Sequence, residues 1–427
     1  MPDVTIVLAP AAAGKTAAAL RALAAPRRGR AMLLLPGVLH HQRLRPGLAG
    51  IRRCSAGPLG RIAQLLLRAA GEPLAVASPM LRADALRAAL RSAADAGQLP
   101  RFARVATKRG FVEEALRLID ELRAAAVPPE ALAAAAVSPY DGELAVVYRC
   151  YLEALARLGL SDEHGQIARA RDLVVAHPEL SRQVELLVVD GFDQFTPLQL
   201  DLVRALAERA SRTLITLTGE ASERPAHRRF SRTLAALRAA LPAARLELLA
   251  PRADLPPALA HLERQLFALD PAPPIDAGGA VTLIGAPDPE REVRAALRHV
   301  RALLAEGLAA EAIAVLYRGG ERYPQLVREV AAEYGLPVCL YEGRSLGAAP
   351  PVAALRALLA LPGEGFARRG LVECWRNLGT QHPVTVLGHG ALVWPDFAAA
   401  AALLERASRG VGGGLPGLRA ALAALVD

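Results

Sequence analysis

The chain is poor in the residues that advertise several common chemistries. Aromatic side chains make up 4% of its 427 residues, so stacking of bases on aromatic platforms is not signalled. Its 4 cysteines, Cys54, Cys150, Cys339 and Cys374, lie far apart and form no CxxC pair. That spacing argues against a metal or cluster site built from these residues and offers no disulfide framework. No clean apolar run of 18 or more residues is present, so no membrane span or membrane partner is expected. The N-terminal apolar stretch lacks a basic start and contains Lys15, unlike a secretion signal. His40, His41, His164 and His389 have no nucleophile in a suitable turn, which sets Ser-His-Asp hydrolysis aside. Lysine is scarce as well: of 51 basic residues, only Lys15 and Lys108 are lysine. Neither has the acid spacing of an Asp…Glu-x-Lys nuclease pattern.

Acid is scarce in one region. Between Met1 and Gly71 eleven Lys and Arg face a single acid, Asp3, whereas the whole chain carries +9. Positive charge concentrated in this way suggests a polyanion partner. Arg27, Arg28, Arg30, Arg52 and Arg53 are the candidates for that surface, holding a nucleic acid mainly by its backbone. The alternative is a solvated basic face. What is abundant is apolar: 53% hydrophobic residues with 22% charged describe a globular chain with room for two or three domains.

The stretch Val4–Leu8 reads as a buried strand, and Ala17–Leu20 opens an Ala/Leu helix that ends before Pro26. Between them lies a small-residue loop ending Gly14-Lys15-Thr16. Strand, loop, Gly-Lys-Thr and helix is the setting of a phosphate-binding loop. The helix N-terminus offers unpaired N–H groups and the positive end of its dipole. Gly14 and Lys15 would hold phosphates, and Thr16 would ligate Mg²⁺. The pattern asks for glycine where Ala9 stands. An Ala-rich turn that merely contains Gly-Lys-Thr is the competing explanation.

Further along, Ala31–Leu35 and Ile51–Ser55 read as strands and Pro58–Ala70 as an amphipathic helix. Strands alternating with helices imply a parallel sheet. From about Pro79 to Gly165 strand signals vanish, and helices are expected at Pro79–Ala96, Gly110–Ala126, Pro128–Ala136 and Gly142–Leu158. Val184–Val189 is then an apolar strand ending in Asp190. In phosphate-loop enzymes an acid so placed holds the water shell of Mg²⁺. Asp193 reads as a cap or turn residue for a helix beginning near Pro197. Thr213–Thr218 and Arg245–Leu249 are further strands. Residues 270–279 are rich in Pro and Gly and read as a linker. Beyond it the pattern restarts: strands at Val281–Ile284, Ile313–Tyr317 and Val338–Tyr341, with helices at Glu290–Glu306 and Tyr323–Tyr334. Leu346–Asp427 is mostly helical, interrupted by Gly410–Gly414.

Several passages, in order, resemble superfamily 1 DNA helicases of the UvrD/RecB kind, and among them the AddB component of AddAB helicase–nucleases. They are Ala9–Thr16; Cys54-Ser55-Ala56-Gly57-Pro58-Leu59; Arg109-Gly110-Phe111 through Ile119-Asp120-Glu121-Leu122; and Leu144–Tyr151 with Leu155–Asp162. The most specific is Val188-Val189-Asp190-Gly191-Phe192 with Phe195-Thr196-Pro197-Leu198-Gln199. Glu292, Ile313–Arg318 and Tyr334-Gly335-Leu336-Pro337 resemble the start of a second motor domain.

The resemblance, which covers roughly residues 1–360, implies an α/β fold. A RecA-like first motor domain (1–78 and 166–268) would carry a helical insertion at 79–165. A linker at 269–279 would lead to an incomplete second RecA-like domain with a helical segment at 280–427. It implies ATP and Mg²⁺ as cofactors and an AddA-like helicase–nuclease subunit as heterodimeric partner. DNA, as a single strand or duplex end, would be contacted also through Ser55 and Arg318. The complex would process double-strand breaks for recombination in the cytoplasm, at the nucleoid.

The departures bear on catalysis. Gly191 stands where active helicases have the Glu that activates water, a loss that typically costs at least ~10²-fold. Gly219-Glu220 replaces a Gly-Asp, and the arginine expected before the linker is matched only by Arg252. The later helicase motifs, the nuclease and its iron–sulfur cysteines would lie past Asp427, so no cluster is expected in this chain. The expectation is therefore a truncated, weakly hydrolysing subunit. The alternatives are an active translocase using Glu220 or Asp193 as base, a small-molecule kinase with the insertion as lid, and a truncated reading frame without function.

Overall fold

Residues 3–9 set the frame. In DVTIVLA the side chains alternate between two faces, and every residue after Asp3 is buried. A strand apolar on both faces must be central in a sheet covered by helices on each side. The computed structural model has that arrangement. It describes residues 3–180, 184–220, 224–250, 254–318, 322–340, 346, 349–363, 365–370, 416, 417 and 420. The described residues fall into two units, 1–281 and 282–427.

In the first unit β1 (Asp3–Ala9), β2 (Arg30–Leu35), β3 (Cys54–Pro58), β6 (Val184–Val189), β7 (Arg212–Thr218) and β8 (Arg245–Leu248) form one sheet. Its order is β3-β2-β6-β7-β1-β8, and every pair is parallel. Two short strands, β4 (Ala75–Val76) and β5 (Leu160–Ser161), pair separately. One face of the large sheet, with Ile6, Leu34, Leu187 and Ile215, packs on α3 (Leu59–Ala69), α8 (Glu163–Ala176), α9 (Pro197–Ala207) and α10 (Arg228–Ala240). The other face, with Val7, Leu33, Val188 and Leu214, packs on α1 (Lys15–Ala24) and α2 (Val38–Leu48). Helix α11 (Pro257–Gln265) follows β8.

Between β4 and β5 the chain makes a separate helical core from α4 (Pro79–Asp95), α5 (Arg109–Ala124), α6 (Pro129–Ala134) and α7 (Pro139–Arg157). The β4–β5 pairing, Ala75↔Leu160 and Val76↔Ser161, holds the entering and leaving chain side by side. Helix α8 belongs to the sheet layer, where Ile167, Ala170 and Val174 are buried. At its N-terminus Asp162 is 1% exposed. It accepts from Gly165 N at 2.6 Å, Arg123 Nε at 3.0 Å and Tyr151 Oη at 2.9 Å. The Tyr151 hydroxyl in turn accepts from Arg82 Nε at 2.7 Å, and Arg82 pairs with Asp120. Burial first, then the Asp162 charge, holds the Tyr151 hydroxyl well above its ordinary pKa, so it stays a donor.

Sequence reading places several elements differently. The third strand is Cys54–Pro58 rather than Ile51–Ser55, because its ladder with β2 starts at Ala31↔Cys54. Helix α2, unforeseen in the sequence, holds a proline, Pro46, and no buried residue, so it lacks an apolar stripe to announce it. The cap of α9 is Thr196, not Asp193. The Thr196 hydroxyl accepts from Gln199 N at 3.2 Å and the Gln199 side chain accepts from Thr196 N at 3.1 Å. Asp193 instead pairs with Arg229 at 3.1 Å.

In the second unit α12 (Pro289–Ala305) packs on α13 (Arg322–Glu333) through Val293, Leu297, Val327 and Val330, and α14 (Pro350–Ala360) follows. The strands expected at 281–284 and 313–317, and the described part of 338–341, are irregular. Leu283 is 97% and Leu316 93% exposed. A parallel strand is defined by its hydrogen-bonded neighbours, and these stretches have none among the described residues, despite their β-branched composition. Most of the expected helical segment 346–427, including Gly410–Gly414, lies outside the described residues.

Candidate functional site: a loop at the carboxyl ends of the strands

In an open parallel sheet, ligands enter at the carboxyl ends of the strands. Residues 10–14 leave the carboxyl end of β1 there and turn into α1. Gly14, the N-cap, has φ 83 and ψ 15, a left-handed conformation that glycine adopts at no steric cost. Ala9, where the motif asks for glycine, is the last residue of β1 and 1% exposed. It therefore needs no left-handed φ. The non-glycine that does is Ala12, at φ 58, a cost of roughly 1 kcal/mol. The loop surrounds the unpaired N–H groups of the α1 N-terminus, which suits it to an anion.

Lys15 folds over this loop. Its Nζ donates to the carbonyls of Ala9 at 3.0 Å and Pro10 at 2.5 Å. Burial lowers its pKa, and the charges of Asp190 and Glu263 oppose that shift. Thr16 donates from Oγ1 to Asp190 Oδ2 at 3.0 Å, across 174 residues of sequence. Thr216 Oγ1, from β7, donates to Asp190 Oδ1 at 2.5 Å. Asp190 is 3% exposed, so two hydroxyls replace water around a buried carboxylate. Sequence reading nominated Thr16 and Asp190; it missed Thr216, which alternates onto the same face as Asp190 only once β6 and β7 pair.

These groups line a cavity of about 690 Å³, together with Gly14, Gly191, Thr218 and, from α2, His40 and Arg43. That volume lies within the ordinary range of small-molecule sites. Among the described residues no group of three His, Cys, Asp or Glu could hold a metal ion. A cation here would rely on Thr16, Asp190, water and the oxygens of a bound phosphate, as Mg²⁺ usually does.

Gly191 has φ +83, and a Cβ there would sit 3.3 Å from His40 Cδ2 and 3.5 Å from Pro36 Cδ. A side chain is thus opposed by both backbone and neighbours. Gly191→Glu is expected to lose about 1 kcal/mol of stability, read as a lower thermal unfolding temperature; an unchanged temperature would show the space to be adequate. The other acids near the strand ends are engaged: Glu220 accepts from Arg224 Nε at 2.6 Å and Asp193 pairs with Arg229. Neither is among the described residues lining the cavity. Arg252 lies outside the described residues.

The arginine candidates are not at this site. Arg27, Arg28 and Arg30 precede or open β2, and Arg52 and Arg53 precede β3. In a parallel sheet these are the amino ends, about 20 Å from the loop across a six-residue strand. Arg27 Nη2 donates to Arg52 O at 2.7 Å and Arg53 Nη1 to Arg28 O at 2.8 Å, so two of the five tie neighbouring turns together. Arg28, Arg30, Arg52 and Arg53 remain exposed. Ser55 lies within β3, opposite Met32. Arg318 is exposed in the second unit. Cys54 is half-buried, Cys150 buried and Cys339 exposed; Cys374 lies outside the described residues. No helix among the described residues is long and apolar enough to cross a membrane.

Comparison with known proteins adds a family. Residues 45–252 match a family model described as ADDB, N-terminal. The chain is 29% identical to the B-type subunit of the ATP-dependent helicase/deoxyribonuclease of Pelotomaculum thermopropionicum, over 86% of this chain and 34% of that protein. Its counterpart in Symbiobacterium thermophilum is 31% identical over 75% of this chain and 30% of its own length. The protein of the same name in Bacillus subtilis is 26% identical over 68% and 27%. The chain spans about a third of the length of these curated relatives.

Proposed function

This chain is AddB-like, carrying the family's N-terminal domain at residues 45–252, and from that premise we propose that it is the nucleotide- and DNA-binding, helicase-like part of an AddAB-type helicase–exonuclease that prepares broken DNA ends for recombinational repair. The observation that carries the nucleotide reading is the Thr16–Asp190 hydrogen bond beside the left-handed Gly14. It joins the two halves of the proposed phosphate-and-metal site across 174 residues of sequence. The loop-bearing β1 and the acid-bearing β6 flank β7. We read this as a RecA-like P-loop domain 1A, with residues 79–165 as insertion 1B and 280–427 as the beginning of domain 2A.

Within that reading Gly14 and the loop N–H groups hold the phosphates of ATP, and Lys15 exchanges its bonds to Ala9 and Pro10 for phosphate oxygens. Thr16, and Asp190 through water, would hold Mg²⁺, which would supply charge neutralisation to the phosphates. With glycine at 191, Asp190 is the only carboxylate among the described residues lining the cavity, and its two oxygens accept from Thr16 and Thr216. Binding without efficient hydrolysis is the consequence, and the partner of the AddA type carries the chemistry. Isolated chain should bind a fluorescent ATP analogue with Mg²⁺ and show no DNA-stimulated hydrolysis. Robust turnover lost in both Lys15→Ala and Asp190→Ala would instead establish a complete catalytic site.

The DNA contact is assigned to the arginine-rich amino edge, with Ser55 and Arg318 as further contacts. Backbone binding through arginines releases counterions, so affinity falls steeply with salt. Raising salt from 50 to 200 mM should weaken single-strand binding on the order of tenfold or more if two to four phosphates are neutralised. A salt-insensitive or absent interaction, read by fluorescence anisotropy, would remove the DNA assignment.

A further inference from the structure

We propose that α2 completes the nucleotide site on its terminal-phosphate side, with Arg43 and His40 contacting the γ-phosphate and making the site select triphosphate over diphosphate. The inference rests on the nucleotide reading above and identifies which residues sense the last phosphate. His40, Arg43 and Leu44 stand at i, i+3 and i+4 of α2, hence on one face, and all three line the cavity with the loop, Asp190 and Gly191. The position of that face is fixed by contact: His40 Cδ2 lies 3.3 Å from where a Cβ on residue 191 would project. Residue 191 follows the acid that touches Thr16. Thr16 and Asp190 would hold the cation that neutralises the outer phosphates, so the last phosphate of a bound triphosphate would sit on the side of the cavity that His40 and Arg43 line, and a diphosphate would stop short of it.

The chemistry of the helix agrees. Its sequence, VLHHQRLRPGL, holds two histidines and two arginines and no acid. Leu44 and Leu48 pack against the sheet, while His40 and Arg43 line the cavity. Arg43 brings a permanent charge and a planar fork of donors suited to phosphate. His40 adds a ring N–H. His40 borders the space where the motif would otherwise place a glutamate, Arg43 lines the same cavity, and both would stabilise phosphate charge.

The test uses the full chain with Mg²⁺ and fluorescent analogues of ATPγS and ADP. Arg43→Ala should lose roughly tenfold or more in triphosphate affinity, the value of a charge-assisted hydrogen bond, with less than about a twofold change for diphosphate. His40→Ala should move in the same direction by less, and Arg43→Lys should recover part of the loss. Equal losses for both nucleotides, or unchanged triphosphate affinity in Arg43→Ala while Lys15→Ala abolishes binding, would overturn the assignment to α2 and leave the loop reading standing. Failure of the unmodified chain to bind either nucleotide would remove both.

Discussion

Lys15→Ala is expected to abolish binding of a fluorescent ATP analogue, by at least ~30-fold, on the order of 2 kcal/mol or more. The ammonium is held by the Ala9 and Pro10 carbonyls, which are neutral acceptors, and burial disfavours its charge. Phosphate oxygens are charged acceptors, and bonds to them are roughly twice as strong as neutral ones. The exchange therefore favours nucleotide, and alanine forfeits it. Lysine does this better than arginine because its charge is compact and its three donors rotate to meet non-planar phosphate oxygens. In a chain that uses arginine almost everywhere else, its presence here has a physical reason. Unchanged affinity in the variant, with unchanged thermal unfolding, would sink the phosphate-loop assignment.

Asp162→Ala is expected to give the largest loss of stability, about 3 kcal/mol, and a fall in Tm of roughly 6 °C or more. Asp162 is 1% exposed and Arg123 14%, so removing the carboxylate leaves a mostly buried guanidinium without its counter-ion. It also leaves the Tyr151 hydroxyl without its acceptor and the α8 N-terminus without its cap. Those three losses meet where the inserted helices return to the sheet layer. The damage should therefore appear as loosening of α4–α7 against α8, measurable as faster amide exchange there. Asp162→Asn keeps a carbonyl oxygen to accept from Gly165 N but turns a donor NH2 toward the Tyr151 hydroxyl, and should lose about half as much. A Tm change within 1 °C for Asp162→Ala would mean that water replaces the carboxylate and that the junction is not held by this charge.

The motif Asp190-Gly191-Phe192 with Phe195-Thr196-Pro197-Leu198-Gln199 divides its work in a way its order alone does not reveal. Phe192 is 5% exposed and stacks on Phe195 at 4.7 Å. Thr196 and Gln199 close the capping box of α9. Only Asp190 and the residues immediately after it face the cavity. Most of the motif's specificity thus comes from building one turn that presents one acid.

The sequence by itself determined many of the local elements of the first unit, though not α2, α8, α10 or α11. Apolar runs of five to seven residues gave buried parallel strands, and capped Ala/Leu stretches gave helices, because burial on one or both faces is written in residue periodicity. It also determined the identities of Gly14, Lys15, Thr16 and Asp190 as candidates, since their spacing to strand ends is local. Tertiary structure alone decided the rest. Thr16 meets Asp190, and Thr216 joins them, only because β7 pairs between β1 and β6. The five arginines lie at the amino edge, away from the loop, because all six strands of the large sheet run the same way. Helix α2 brings His40 and Arg43 to the cavity although nothing in its composition marks it as a helix, since its orientation is set by the strand it follows and not by an apolar stripe. The three strands expected after residue 280 show the converse: strand-forming composition yields a strand only where a neighbouring strand completes its hydrogen bonds.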